Sequence, residues 1–247
     1  MITGASSGIG REMAIYLGEL GYDLILVARQ KDKLEELQSE LKTKVKLIIA
    51  DLSLEQKVKE VYVLTKQEKI DLLINNAGFG VFGVFDQTDL KEELNMIDVN
   101  IKAVHMLTKF FLKDMEERNH GTILNVASSA AFYPGPLMAS YYASKSYVYR
   151  LSLALQEELR RKKSKVQLSV LCPGPIETNF QKRAGVKFQV KPLSSFKVAR
   201  YTIDQMRKGK KVIIPGISMK IAKFFSHFIS DTLLAKIAYH MQKKKEV

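Results

Sequence analysis

Short apolar runs alternate with longer amphipathic segments along almost the whole chain, and this alternation constrains the fold more than any other feature. The runs are rich in β-branched and aliphatic residues and are too short to be helices. They occupy 23–28, 45–50, 71–75, 121–128, 166–172 and 211–216, and segments with helical spacing occupy 8–20, 31–42, 54–68, 89–118 and 140–163. Apolar strands that alternate with helices predict an α/β fold, a doubly wound parallel sheet of about seven strands covered on both faces.

The chain is predicted to form one domain followed by a helical extension. No linker or internal repeat divides its 247 residues, so 1–216 are assigned to the ligand-binding domain, with a substrate lid at about 179–197. The remaining segment, 217–247, has apolar residues at helical spacing and lysines on its other faces, with a break near Ser230 and Asp231. It is predicted to be an amphipathic helix pair that covers the substrate mouth or a partner subunit. Weak peripheral contact with an anionic membrane is the alternative.

The formal net charge of +13 allows anionic partners, but the distribution of the charges narrows the choice. Lysines and arginines are spread along helices with few aromatic residues between them, which favours a solvated surface over a nucleic-acid site. A single cysteine, Cys172, permits no intrachain disulfide, and the four scattered histidines lack metal-ligand spacing, so no metal site is predicted. Because the sequence shows no leader-like segment and no long apolar run, we expect a cytoplasmic location.

A glycine-rich stretch, TGASSGIG (3–10), lies between the first predicted strand and the first helix. Its glycines allow a tight turn and a close approach to a ligand, and the helix start offers N–H groups and a positive dipole end to a pyrophosphate. The residues concerned are Gly4, Ser6, Ser7, Gly8 and Gly10. Their position predicts a nucleotide site. Only Met1 and Ile2 precede the stretch, which predicts a very short first strand or a start within a longer sequence.

Arg29 follows the second predicted strand, which ends at Ala28. An acidic residue at this position would bind the adenosine ribose 2′-hydroxyl, whereas a planar bidentate cation suits a 2′-phosphate. The sequence therefore favours NADP(H) over NAD(H). An exposed arginine without a ligand is the alternative.

Four tyrosines and a lysine are concentrated in ASYYASKSYVYR, residues 139–150. On a helix, residues three and four positions apart share a face, so Tyr141, Tyr142 and Tyr149 all lie within reach of Lys145. Spacing alone does not choose among these tyrosines.

Seven motifs, in one order and spacing, resemble those of the short-chain dehydrogenase/reductase family. They are TGASSGIG (3–10), DLS (51–53), NNAG (75–78), VN (99–100), NVAS (125–128), YYASK (141–145) and PGPIET (173–178). The resemblance covers nearly the whole chain. It implies a Rossmann fold and an oxidoreductase that transfers a hydride between NADP(H) and a carbonyl or alcohol substrate.

The resemblance also assigns roles to individual residues. The family's tyrosine and lysine, with a serine thirteen positions before the tyrosine, correspond to Tyr141, Lys145 and Ser128. Tyr141 is implied to be the general acid/base, and Ser128 to position the substrate oxygen. Lys145, together with the positive charge of the oxidised nicotinamide, is expected to lower the pKa of Tyr141. Asn100 is implied to hold a water that relays protons from Lys145. The implied cofactor-binding residues are Gly4, Ser6, Ser7, Gly8, Ile9, Gly10, Arg29, Asp51, Leu52, Asn76, Ala77, Gly78, Tyr141, Lys145, Pro173, Gly174, Ile176 and Thr178. Tyr142 and Tyr149 are then predicted to be packing or interface residues.

The substrate is less constrained by the sequence. Aromatic residues after several strands predict an apolar pocket and a ketone or aldehyde, and the candidate wall residues are Phe79, Phe82, Phe85, Phe132, Tyr133, Phe180 and Phe188. A hydroxy-acid or β-hydroxy amino acid dehydrogenase is one alternative, because Lys182, Arg183 and Lys187 could bind a carboxylate. A non-catalytic nucleotide-binding protein is another.

Assembly is predicted from the helices at 97–118 and 140–163. Each has apolar residues on more than one face, such as Val104, Leu107, Phe111 and Met115 on the first, whereas a helix buried on one side needs a single stripe. The family commonly pairs these two helices across a two-fold axis. We therefore expect a homodimer or homotetramer.

Overall fold

A seven-stranded parallel sheet, in the order β3-β2-β1-β4-β5-β6-β9, forms the centre of the computed structural model, which describes residues 1–178, 180, 192–226 and 228–243. Its strands are β1 (Ile2–Thr3), β2 (Leu24–Ala28), β3 (Val45–Ile49), β4 (Leu72–Asn75), β5 (Thr122–Val126), β6 (Gln167–Leu171) and β9 (Val212–Ile213). Two further strands, β7 (Ile176–Glu177) and β8 (Leu193–Ser194), pair with each other beside this sheet. The strand order reverses between β1 and β4, which confirms the predicted doubly wound Rossmann arrangement.

Helices cover both faces of the sheet. They are α1 (Gly8–Glu19), α2 (Lys31–Glu40), α3 (Glu55–Thr65), α4 (Leu90–Ile97), α5 (Val104–Glu117), α6 (Ala139–Arg161), α7 (Ser195–Arg207), α8 (Ile217–Ser226) and α9 (Asp231–Lys243). Alternate strand residues point to opposite faces, so Val27 packs with α3, α5 and α6, and Leu26 packs with α1, α2 and α7. These two apolar layers form the core.

The predicted strands and helices are present with ends shifted by a few residues, and the C-terminal pair is present as α8 and α9. Helix α7 was not predicted. Its buried stripe, Val198, Ala199, Ile203 and Met206, is interrupted by the polar Thr202, which weakens the apolar periodicity. The last sheet strand is shorter than predicted, because Pro215 in the predicted run has no N–H to donate to a ladder.

A buried polar network holds α5 and α6 against the middle of the sheet. Asn75 on β4 donates to Thr108 on α5 at 3.0 Å and to Asn125 on β5 at 2.9 Å. The Asn125 amide in turn donates to the Ser152 hydroxyl on α6 at 3.1 Å. Because these bonds are shielded from water, they fix the position of α6, which carries the predicted catalytic tyrosine.

The apolar residues used to predict a subunit interface belong to the core of this chain. Val104, Leu107, Phe111 and Met115 are all at least nine-tenths buried in the single subunit. They therefore form one inward stripe and give no evidence for an interface, and the oligomer stays a prediction. No helix in the described part of the chain has the length and apolar character needed to cross a membrane.

Candidate active site

A cavity of about 800 Å³ lies along the carboxyl ends of the sheet strands. Residues that follow β1 to β6 line it, as expected for the ligand site of a doubly wound sheet. Every predicted cofactor residue lines this cavity except Gly10. Of the predicted catalytic residues, Ser128, Tyr141 and Lys145 line it and Asn100 lies behind its wall.

The glycine-rich loop packs directly on the segment after β4, which explains the need for glycine. Gly4 has φ +65°, and a Cβ there would lie 2.8 Å from the Cα of Ala77. At Gly10 a Cβ would collide with the carbonyl oxygen of Gly4 and the amide of Asn76. Gly10 therefore contributes by packing α1 against the loop.

The start of α1 has the properties of an anion-binding site. Its N-cap is Ser7, whose hydroxyl has no capping partner among the described residues and faces the cavity. The first turn, Gly8–Arg11, contains no acidic residue, so the positive end of the helix dipole is not neutralised. These features fit a pyrophosphate at the loop.

Two cations line the cavity beyond β2. Arg29 is exposed, with Nη1 3.6 Å from Oδ2 of Asp51. Burial by itself would raise the pKa of Asp51, but hydrogen bonds from Ser53, together with Arg29, lower it below its usual value. Lys33, four residues after Arg29 on the first exposed turn of α2, also lines the cavity and was not predicted from the sequence. The available signal was its position in the first turn of the helix that begins two residues after Arg29.

The structure brings together the hydroxyls of Tyr141 and Ser128, which are hydrogen bonded to each other. Ser128 is the N-cap of a short 3₁₀ helix, Ser129–Phe132, and its Oγ accepts the Ala130 N–H at 3.1 Å. This bond fixes the Ser128 side chain toward Tyr141. Burial raises the pKa of Tyr141 to about 12, against the smaller opposing effect of the Ser128 hydrogen bond.

Lys145 lies behind Tyr141 and is almost fully buried. Its Nζ donates to the Val126 carbonyl at 3.1 Å and is 5.9 Å from the centre of the Tyr141 ring. Burial lowers the pKa of Lys145 to about 8. In the protein chain alone, burial of the phenol dominates and holds it protonated, so Lys145 by itself does not lower the pKa of Tyr141. The contribution of the oxidised nicotinamide stays a prediction.

Asn100 lies in a π-helical turn, Asp98–Ala103, between α4 and α5. Its side chain pairs with both backbone groups of Phe79 at 3.1 and 2.9 Å and donates to Ser144 on α6 at 3.0 Å. A Cβ on Gly78 would lie 2.8 Å from Asn100 Oδ1 and 3.1 Å from Lys145 Nζ, so both groups approach this glycine. Asn100 thus braces the segment after β4 against the helix that carries Tyr141. π-turns are frequent at functional sites.

Some of the predicted wall residues lie elsewhere. Phe79, Tyr133 and Phe180 line the cavity, and Phe82 packs in the same aromatic cluster. The prediction was wrong for Phe85, which is 66% exposed in a turn, and for Phe132, which packs edge-on against Tyr149. Phe188, Lys182, Arg183 and Lys187 lie outside the described residues.

The C-terminal helices close the end of the cavity near Tyr141. Met219 on α8 and Ala238, Met241 and Gln242 on α9 line it. Gln242 donates its amide to the hydroxyl of Tyr142, which is buried, as is Tyr149. Both tyrosines are therefore packed inside the single subunit, and Tyr142 also lines the cavity. Helices α8 and α9 therefore contribute to the cavity, one of the alternatives that the sequence left open.

The chain is similar in sequence and in fold to several known proteins. One is the 17-beta-hydroxysteroid dehydrogenase type 3 of Mus musculus, 35% identical over 188 residues, which are 74% of this chain and 61% of that protein. The chain thus spans under two thirds of that relative's length. A short-chain dehydrogenase from Sphingobium yanoikuyae in complex with NADPH superposes with a TM-score of 0.82 at 29% identity, over 87% of each chain. A short chain dehydrogenase/reductase from Burkholderia phymatum in complex with NAD superposes with a TM-score of 0.82 at 25% identity, over 92% of each chain.

The family model described as short chain dehydrogenase matches residues 1–187, the part of the chain that holds all seven motifs. With the glycine-rich loop, the strand order and the Ser128–Tyr141 pair in one cavity, this match shows that the chain belongs to the short-chain dehydrogenase/reductase family.

Proposed function

We propose that the protein is an NADP(H)-dependent oxidoreductase that reduces an apolar ketone or aldehyde, with Tyr141 as the proton donor. The observation that carries the proposal is the Tyr141–Ser128 hydroxyl pair, which faces the cavity between the phosphate-binding loop and an apolar end. A carbonyl that accepts a hydride becomes an alkoxide, so a proton donor is needed at its oxygen.

The residues that line the cavity fit a nicotinamide dinucleotide. The loop after β1 and the start of α1 would hold the pyrophosphate, and Arg29 and Lys33 would hold a 2′-phosphate. The bound cofactor would supply the hydride. Relatives of this fold are in complex with NADPH or with NAD, so the preference for NADP(H) rests on these two cations.

Side chains of the protein would supply the proton that the carbonyl oxygen takes up on reduction. Ser128 and Tyr141 would both donate to the carbonyl oxygen, which positions it and stabilises the developing charge. The raised pKa of Tyr141 keeps its phenol protonated near neutral pH, the state that carbonyl reduction requires. After donation, Lys145 would stabilise the phenolate. Since its pKa is about 8, it is mainly protonated at pH 7. Asn100 would hold the segment after β4 beside Lys145. The water relay from Lys145 stays a prediction.

The apolar end of the cavity favours a bulky hydrophobic substrate. Phe79, Met138, Phe180 and Met241 line this end. In the described part of the chain, Lys145 is the only cation lining the cavity apart from Arg29 and Lys33, so no described residue favours a carboxylate substrate. The named activity of the mouse relative, on a hydroxysteroid, agrees with this preference.

A turnover screen tests the proposal. NADPH absorbance is followed with a panel of apolar ketones and aldehydes, including steroid ketones, and NADP⁺ with the matching alcohols. We expect NADPH to be consumed with at least one bulky ketone, and short 2-keto acids to be poorer substrates. The proposal fails if the protein binds NADPH but none of the carbonyls is reduced, or if keto acids are preferred.

A second prediction concerns the membrane contact suggested by the C-terminal helices. Apolar residues on α8 and the turn after it point away from the cavity, with Phe224, Phe225 and Phe228 all more than half exposed. Lys220 lies on the same helix, and α9 adds Lys236. An exposed apolar face with adjacent lysines suits the headgroup region of an anionic membrane, where each lysine contributes roughly 1 kcal/mol.

Flotation with anionic and neutral vesicles measures this contact. We expect weak binding to the anionic vesicles that decreases as salt is added, and loss of binding in Phe225→Ser/Phe228→Ser. Phe85→Ser removes an exposed phenylalanine elsewhere and should bind as the unmodified protein does. Equal flotation with both vesicle types would leave α8 and α9 with the role of a cover only.

A further inference from the structure

A chain of three polar side chains interrupts the apolar wall at the closed end of the cavity. The three are Tyr133, which follows the 3₁₀ helix, Tyr142 on α6 and Gln242 on α9. Apolar residues from the same elements and their neighbours surround them, namely Ala130, Met138, Phe180, Ala238 and Met241. Polar groups in such a wall fix the orientation of a ligand.

The three side chains are joined by hydrogen bonds in one direction. Gln242 Nε2 donates to the Tyr142 hydroxyl, and a hydrogen bond joins the hydroxyls of Tyr142 and Tyr133. Because the Tyr142 hydroxyl already accepts the bond from Gln242, it is the better donor of this pair. The rings of the two tyrosines are 5.8 Å apart between centroids. Gln242 is 2% exposed, so water does not compete for its bond to Tyr142. Burial raises the pKa of both tyrosines, and both stay neutral phenols.

The hydroxyl protons already used in these hydrogen bonds determine whether Tyr133 can donate to a ligand. Each phenol has one proton, and Tyr142, which accepts from Gln242, is the phenol that donates its proton toward Tyr133. The proton of Tyr133 is therefore the last of the chain, and this residue lines the cavity. A hydroxyl that accepts one hydrogen bond becomes a better donor in the next, so Tyr133 is a strengthened donor.

We propose that Tyr133 donates a hydrogen bond to a second oxygen of the substrate, and that Tyr142 and Gln242 position its hydroxyl. The substrate class is an apolar ketone with an acceptor oxygen distant from the reacting carbonyl, such as a diketone. The inference rests on the proposed function, because the reacting carbonyl is placed at Tyr141 and Ser128. Tyr142 contacts both sites, with its ring centroid 6.0 Å from that of Tyr141 and 5.8 Å from that of Tyr133.

The C-terminal helix takes part in this recognition through Gln242. In the described part of the chain, its Oε1 is buried and has no hydrogen-bond partner, so its amide is held by the bond to Tyr142. Gln242→Leu keeps the apolar packing of α9 and removes the donor. Tyr142 is then free to redirect its proton, and Tyr133 loses its orientation. Gln242 and Tyr142 are therefore positioning residues, and Tyr133 is the contact.

A matched pair of substrates tests the proposal, with a saturated steroid that has two ketones and its monoketone counterpart. We expect Tyr133→Phe to lower the diketone-to-monoketone ratio of kcat/KM about fivefold, the value of one neutral hydrogen bond, mainly through KM. Gln242→Leu should lower the ratio in the same direction by less. Tyr147→Phe removes a hydroxyl on α6 that is bonded to His105 on α5, and it should leave the ratio unchanged.

Calorimetry of the two steroids in the presence of NADP⁺ gives the ratio of their dissociation constants. This ratio reports the preference for the diketone without turnover. Absence of turnover with preserved binding counts against the proposed function and leaves the Tyr133 contact supported by the binding ratio. An unmodified protein that shows no preference for the diketone overturns the inference. An unchanged ratio in Tyr133→Phe also overturns it, and would indicate that water accepts the Tyr133 proton.

Discussion

Replacing Tyr141 with phenylalanine is expected to lower kcat for ketone reduction by about a thousandfold, within the range that general acid catalysis supplies. The substitution keeps the ring, which packs 5.2 Å from that of Phe180, and removes only the hydroxyl that is paired with Ser128. The affinity for NADPH should stay within a few fold, because the phosphate-binding loop and the cations after β2 are unchanged. Single-turnover reduction and NADPH fluorescence titration measure the two quantities separately.

Tyr142→Phe is the matched control, because Tyr142 is the neighbouring tyrosine on the same helix. Its hydroxyl is bonded to Gln242 and Tyr133, whereas that of Tyr141 is bonded to Ser128. We expect this variant to retain turnover, with altered preference among substrates, and to bind NADPH normally. If it were the inactive variant and Tyr141→Phe the active one, the assignment of the active site would be wrong by one residue.

The register of this site could be read from the sequence only through the family motifs. Helical spacing places Tyr141, Tyr142 and Tyr149 near Lys145 alike, and nothing local distinguishes them. The distinction comes from Ser128, which is far away in the sequence and is brought to Tyr141 by the turn after β5. The sheet and its order were more accessible, because strand periodicity and the glycine-rich loop are local signals.

Properties that depend on tertiary burial could not be read in this way. The spacing of Lys145 from Tyr141, with the charge of the oxidised nicotinamide, predicts a lowered tyrosine pKa, but within the protein chain burial of the hydroxyl raises it to about 12. Likewise, Gln242 meets Tyr142 only because α9 folds back over the cavity, a contact between residues 100 positions apart. The amphipathic pattern of 217–247 predicted a helix pair and did not determine which face docks, since Ala238 is buried and Ile237 is exposed.

Arg29→Asp is expected to reverse the cofactor preference of the protein. We predict that the unmodified protein binds NADPH at least tenfold more tightly than NADH, because Arg29 and Lys33 line the cavity after β2, where a 2′-phosphate would bind. One hydrogen bond to a charged group contributes about 1.5–3 kcal/mol, and a carboxylate would also repel the phosphate and accept the ribose hydroxyls of NADH. The ratio of the two dissociation constants should therefore change by about a hundredfold or more.

Arg207→Asp is the control for this change, since it makes the same change in net charge at the exposed end of α7, outside the cavity. It should leave the ratio of the NADH and NADPH dissociation constants unaltered. Lys33→Ala should lower this ratio, as Arg29→Asp does, but by less. Added salt should weaken NADPH binding more than NADH binding, because the additional contact is between exposed charges. Equal affinities for the two cofactors in the unmodified protein would contradict the prediction. In that case the ion pair of Arg29 with Asp51, 3.6 Å apart, would be stronger than a contact between Arg29 and the 2′-phosphate. Arg29 would then serve to hold Asp51 at the adenine end of the cavity.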